Sequence, residues 1–214
     1  MPYNVHDIRK FKENEGVHSR PYYFFDTNAW LAYLVGSDDL KGNRGEHYAD
    51  FIEGLIILNN ITDPKIIKRY RHQPKIVMSS LLLSEIHNAY SRQISYRQYL
   101  DKNKLSDKDS PYKNFRNTDN YLKDIKLLKA KLDAAKDCIV LIDDYFNSIE
   151  PFELIENLPI TSDFNDFYYY CWIKLIESDY KISVVTDDGD FQYEDIEIIT
   201  YNHDLRQLSK NNKK

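Results

Sequence analysis

Tyr22–Asn28 reads YYFFDTN: four aromatic residues in a row, then an acid, then two small polar residues. An uninterrupted aromatic run offers water no polar face, so it is stable only as a strand paired centrally with both faces covered. Asp26 then falls where that strand ends, which is where open α/β sheets place their chemistry. The expectation is that Asp26 is the first of several carboxylates gathered at one sheet edge around a divalent cation.

Outward from this strand, the pattern alternates between helix and strand. NAWLAYLV at Asn28–Val35 predicts a short helix with Asn28 near its start. Tyr48, Phe51, Ile52, Leu55, Ile56 and Leu58 recur at helical spacing and predict a helix over about 46–60. Ile76–Met78 reads as a second strand, with Ser79 and Ser80 as caps for a helix running from near Leu81 to about Leu100. Residues 102–120 are polar and broken by Pro111, which predicts a long loop or insertion. Tyr121–Ala135 is helical, and the β-branched residues of Cys138–Ile142 favour a strand. A short helix over 152–158 ends before Pro159, and Thr161 or Ser162 caps a helix over about 163–177. Ile182–Val185 and Glu197–Tyr201 supply two more strands, with Asp187–Asp190 as a turn between them. The expected organisation is an arm over residues 1–20, one domain over 21–204 with an insertion around 101–120, and a flexible tail over 205–214.

Composition narrows the class. A chain of 214 residues, 42% hydrophobic and 29% charged, has enough material for one substantial core. A formal net charge of -5 excludes a generally basic nucleic-acid coat protein, yet is compatible with a nuclease whose acids are offset locally by cations. Cys138 and Cys171 are the only cysteines and have no zinc-type spacing. No uncharged run has the length of a membrane span. These features predict a cytoplasmic protein with reduced, inert thiols and no membrane partner.

The acids beside predicted strand ends and helix starts define the candidate site: Asp26, Glu85, Asp166 and Asp188, with Asp163 and Asp190 close to them in sequence. Asp163 and Asp166 are three apart, so both fit one side of a first helical turn. Crossover connections bring such distant positions to one sheet edge. Carboxylates crowded into one pocket repel each other unless cations balance them, and an all-oxygen donor set suits Mg²⁺ or Mn²⁺ rather than zinc. That chemistry points to metal-dependent phosphoryl-transfer hydrolysis.

FFDTN at Phe24–Asn28, SSLLLSEIHNAY at Ser79–Tyr90, SDFNDFYYY at Ser162–Tyr170 and VVTDDGDF at Val184–Phe191 resemble, in order, the four acidic motifs of the PIN-domain nucleases, a group that includes the VapC-type toxins. The resemblance covers roughly residues 22–200, with 103–152 poorly matched. It implies a three-layer α/β fold with a mostly parallel five-stranded sheet flanked by helices, and an endoribonuclease site holding Mg²⁺ or Mn²⁺. It assigns Asp26, Glu85, Asp166 and Asp188 as catalytic metal ligands, Asp163 as an extra or alternative ligand, and Asp190 as a supporting carboxylate. Asn28 and Thr186 resemble the positions that hold the first acid and water by hydrogen bonding. RNA is the implied substrate, with a homodimer and an antitoxin as further partners. The chain is longer than the small toxins, and Asp187 stands where that family varies.

Other readings fit the residues less well. A phosphatase of the haloacid-dehalogenase type needs a second acid at the position of Asn28, and a receiver domain needs an acid pair that the strand before Asp26 lacks. A catalytically silent PIN-like module for RNA binding or protein assembly would be marked by a lost acid, and every motif acid is present. The basic run Lys65, Lys68, Arg69, Arg71 and Lys75 is a candidate contact for phosphates or a solvated face. Tyr168, Tyr169, Tyr170 and Trp172 read as packing rather than base-stacking residues.

Overall fold

The computed structural model describes residues 3–13, 20–36, 44–65 and 73–211. Its frame is one six-stranded sheet made of β1 (Asn4–Asp7), β2 (Tyr22–Phe25), β3 (Lys75–Met78), β4 (Ile139–Leu141), β5 (Ile182–Val185) and β6 (Glu197–Thr200). The spatial order is β1-β6-β5-β2-β3-β4, and every neighbouring pair runs parallel. The aromatic strand β2 is central, with Phe24 opposite Val77 on one side and Val184 on the other. Successive side chains of a strand point to opposite faces, and β2 uses both. Tyr23 and Phe25 pack on Phe51, while Phe24 packs on Tyr169 and Trp172. Helices therefore cover both faces, giving three layers.

A short helix, α1 (Arg9–Glu13), follows β1, and the helix bearing Phe51 is α3 (Arg44–Asn60), which packs extensively on α2 (Thr27–Val35). Gly36, at φ 85°, closes α2 in a backbone region that costs other residues strain, and its N–H reaches Ala32 O at 3.1 Å. The opposite face carries the helix of Phe164–Ile176, here α9, with Tyr168, Tyr169, Trp172 and Ile173 buried along it. Those aromatics are packing residues, as their sequence suggested. After β3 the chain forms α4 (Ser80–Ala89), a π-helical segment at Tyr90–Ser95, and α5 (Tyr96–Asn103). The expected single helix over 81–100 is thus continuous in course but widened by one π turn.

Three expectations need correction. The sheet has six strands rather than five, because residues expected as a loose arm include β1, paired with β6 from Asn4 to Asp7. The sequence NVHD carries one large aliphatic residue and gives no apolar run; its order comes from polar clamps. His6 Nε2 and Arg20 Nε meet the Glu197 carboxylate at 3.1 and 2.7 Å, and Ser183 Oγ donates to it as well. Burial would raise the Glu197 pKa, but these partners hold it down at about 2. The expected tail is helical as far as Asn211: α10 (His203–Asn211) buries Leu205, and Arg206 binds Asp7 of β1 at 2.7 Å.

The third is the loop reading of the span around 101–120. It contains α6 (Tyr112–Phe115) and a small core of its own, in which Tyr96, Leu100 and Phe115 are packed about by Tyr99, Leu105, Tyr112 and Tyr121. The chain then continues through α7 (Asp119–Ala135) to β4, and through α8 (Pro151–Glu156) to α9. Most of the basic run, residues 66–72, lies outside the described residues. Cys138 is buried and Cys171 half-buried, both as free thiols. Among the described residues, no helix is long and apolar enough to cross a membrane.

Candidate active site

The chain leaves β2 for β3 and β4 on one side, then returns to place β5 and β6 on the other. The connections therefore diverge at the carboxyl end of β2, and such a switch point opens a crevice. A cavity of about 370 Å³ lies there, lined by Asp26, Glu85, Asp163, Asp166 and Asp188, together with Asn28, Tyr169 and Arg92. Each acid arrives from a separate local device. Asp26 follows β2 directly, and its N–H bonds Val185 O at 3.1 Å, extending the ladder by one step. Glu85 sits on α4, whose start is fixed by the Ser79 hydroxyl accepting from Leu82 N. Asp166 lies in the first turn of α9, capped by Asp163, whose Oδ1 accepts from Asp166 N at 2.9 Å. Asp188 lies in the turn after β5.

Asp26 is 8% exposed and uses both oxygens. Oδ1 caps α2 by accepting from Ala29 N at 2.6 Å. Oδ2 accepts from the Thr186 hydroxyl, and from Asp187 N at 3.3 Å. Thr186 Oγ1 in turn accepts from Asp188 N at 2.9 Å, so one hydroxyl links the two acids. Glu85 Oε2 is held by the Tyr169 hydroxyl at 2.7 Å.

The electrostatics show crowding. Burial pushes the Asp26 carboxyl up to about 7, against the pull of the Thr186 and Ala29 hydrogen bonds, and the charges of Asp188 and Asp187 add to the rise. Asp166 rises to about 8 through burial first, then through Asp163, Asp188, Asp26 and Glu85. The acids sense one another across the cavity. Among the described residues, however, no three His, Cys, Asp or Glu side chains are grouped tightly enough to hold a metal ion. The carboxylates ring the cavity without closing on a single point. Their donor chemistry nevertheless fits a hard, oxygen-preferring cation, which would relieve the repulsion felt by Asp26 and Asp166.

The remaining residues of interest fall around this ring. Thr186 is wholly buried behind Asp26. Asn28 is exposed at the mouth of the cavity, and Thr186, Ala29 and Asp187 hold Asp26 in its place. Asp190 is exposed in the turn, its N–H donating to Asp188 Oδ1 at 2.9 Å, and it does not line the cavity. Asp187 turns the other way, toward the hydroxyl of buried Tyr48 at 2.8 Å. Tyr48 and Arg92 were not anticipated. Arg92 had a signal: Glu85, Asn88, Ala89, Arg92 and Gln93 recur at three, four, seven and eight residues, one stripe of a helix, and all line the cavity.

No protein-family model matches the chain, and no curated protein matches it in sequence. The class is therefore defined by fold and pocket alone: a parallel α/β protein with carboxylates from four chain segments gathered at its topological switch point.

Proposed function

We propose that the protein is a metal-dependent endoribonuclease of the PIN type, cutting RNA phosphodiester bonds at the acidic cavity. The observation that carries this reading is that Asp26, Glu85, Asp166 and Asp188, far apart in sequence, line one cavity at the carboxyl end of the sheet. Asp26, Glu85, Asp166 and Asp188 would hold Mg²⁺ or Mn²⁺, with Asp163 beside them. The ion would supply a water made nucleophilic near neutral pH and a counter-charge for the developing phosphorane oxygens. The chain's own residues do the positioning. Thr186 fixes the Asp26 oxygen and the Asp188 backbone together, and Tyr169 fixes Glu85. Phe24, Tyr169 and Phe191 wall the cavity and lower the local dielectric, which strengthens every charge interaction inside it.

The test is cleavage of labelled RNA by the full chain in Mn²⁺ or Mg²⁺. The expected result is cleavage that stops in excess chelator and in Asp26→Asn. Equal cleavage in chelator, or rapid hydrolysis of a phosphomonoester with no attack on RNA, rejects the reading. A role as a toxin restrained by an antitoxin, and action as a homodimer, belong to the same proposal; growth arrest on expression and the mass of the purified protein test them.

A second reading follows from the open ring of acids: a silent module that binds RNA or a protein without cutting. Binding of RNA without cleavage under any divalent cation would favour it.

A further inference from the structure

Among acids that ring the cavity stands one arginine. Arg92 lines the same wall as Glu85, Asn88 and Gln93, and its side chain is exposed at the mouth. A guanidinium so placed would ordinarily fold onto a carboxylate. Among the described residues Arg92 makes no ion pair; its guanidinium carbon lies 4.4 Å from the centre of the Tyr112 ring instead. Cation–π seating of this kind leaves the guanidinium edge, with its forked N–H groups, available to a ligand.

The seat is built rather than incidental. The Tyr112 hydroxyl and Ser91 Oγ are 2.8 Å apart, so the residue next to Arg92 anchors the ring. Tyr112 also packs edge-on to Tyr96 at 5.4 Å, and Tyr96 donates to Ser110 O at 2.7 Å. Arg92 and Ser91 both lie in the π-helical segment, a distortion that costs helix regularity and recurs at functional sites. Tyr112, from the span around 101–120, is therefore the anchored ring against which Arg92 lies.

We propose that Arg92, held on the Tyr112 ring, is a phosphate clamp for the nucleic-acid strand, taking a backbone phosphate next to the one that is cut. The clamp rests on the nuclease reading of the cavity. An acidic pocket repels a polyanion, and a cation at its rim that none of its acids neutralises supplies the opposing attraction. Arg92 is a positioning residue: it steers the strand and leaves the chemistry to the acids.

The test uses a labelled single-stranded oligouridine and the full chain. Binding is measured on the Asp26→Asn protein in chelator over a range of salt, with and without Arg92→Ala, Arg92→Lys and Tyr112→Leu. Arg92→Ala should weaken binding about ten- to hundredfold, as expected for losing a charge-assisted contact. It should also reduce the slope of log affinity against log salt by about 0.7, one single-strand phosphate contact. Arg92→Lys keeps the charge without the fork and falls between, and Tyr112→Leu follows Arg92→Ala. In the chain with Asp26 intact, Arg92→Ala should raise KM for RNA cleavage with little change in kcat. Thermal unfolding of Arg92→Ala should match the parent, since the side chain is exposed. RNA that binds with unchanged affinity and slope, and is cut with unchanged KM, overturns the clamp and leaves the nuclease reading standing. A chain that neither binds nor cuts RNA in any divalent cation overturns both.

Discussion

At the scale of the residue, Asp26 serves two ends at once: Oδ1 caps α2, and Oδ2 ties this cavity-lining acid to Thr186 and Asp187 after β5. Asp26→Asn preserves the size and one acceptor but removes the charge. We expect RNA cleavage to fall at least about a hundredfold in single-turnover assays at saturating Mn²⁺, the scale of losing an electrostatic catalytic group. Thermal unfolding of the same sample should show no loss of stability, because a buried charge is relieved. Thr186→Val is subtler. The hydroxyl lowers the Asp26 pKa by donating to its carboxylate, so its removal raises that pKa further. The acid limb of the pH–rate profile should therefore move to higher pH, and a limb that stays in place would separate Thr186 from the titration. Asp26 was legible from YYFFDTN because an oily strand fixes the acid that follows it at the rim of the sheet. Asp187 was not, since nothing local tells which of three neighbouring acids in DDGD turns away toward a tyrosine 139 residues earlier.

At the scale of the element, the turn after β5 is held from beneath by α3. The Tyr48 hydroxyl lies 2.8 Å from Asp187 Oδ1 and 3.1 Å from Thr186 O, and it accepts from Tyr201 N at 2.9 Å. Tyr48→Phe removes the hydroxyl that the buried Thr186 carbonyl and the half-buried Tyr201 N–H share, a loss of about 1–3 kcal/mol. The melting temperature should drop by about 3–10 °C. Cleavage should also slow, although Tyr48 does not line the cavity; unchanged kinetics would mean that the turn keeps its shape unaided. The strands β2, β3 and β5 were legible because their apolar runs are strong and flanked by polar stops. β1 was hidden: its four residues are exposed or half-buried, and an edge strand held by ion pairs has no hydrophobic signature. The π turn at Tyr90–Ser95 was equally silent, because one extra residue in a helix barely alters a periodicity read over the whole of it.

At the scale of the whole molecule, two sets of acids pull stability in opposite directions with pH. Asp26 and Asp166 have folded pKa values of about 7 and 8, above the ordinary 3.8. The native state therefore holds extra protons between those limits, and stability falls as pH rises from about 4 to 8. Glu197 and Asp7 are both lowered to about 2, from 4.5 and 3.8. Their contribution is complete above about 4.5 and is lost as pH falls toward 2. In chelator, the melting temperature should peak near about pH 4.5–5 and decline toward about pH 8. Mn²⁺ should stabilise the protein most at the alkaline end, where the cavity acids are charged. A flat profile from about pH 5 to 8, indifferent to Mn²⁺, would remove the case for repulsion between the cavity acids.

The pairing of β1 with β6 also sets an order in time. Asn4 finds its partner at Glu197, so this edge cannot close until roughly 190 further residues have been made. At about 5–20 residues per second that is a wait of roughly ten to forty seconds on the ribosome. β2 and β3 become available to each other much sooner, and β5 joins them before β6 is complete. The earliest segment of the sheet is thus the last to dock, and its arrival covers the β6 edge that would otherwise stand open to a neighbouring nascent chain.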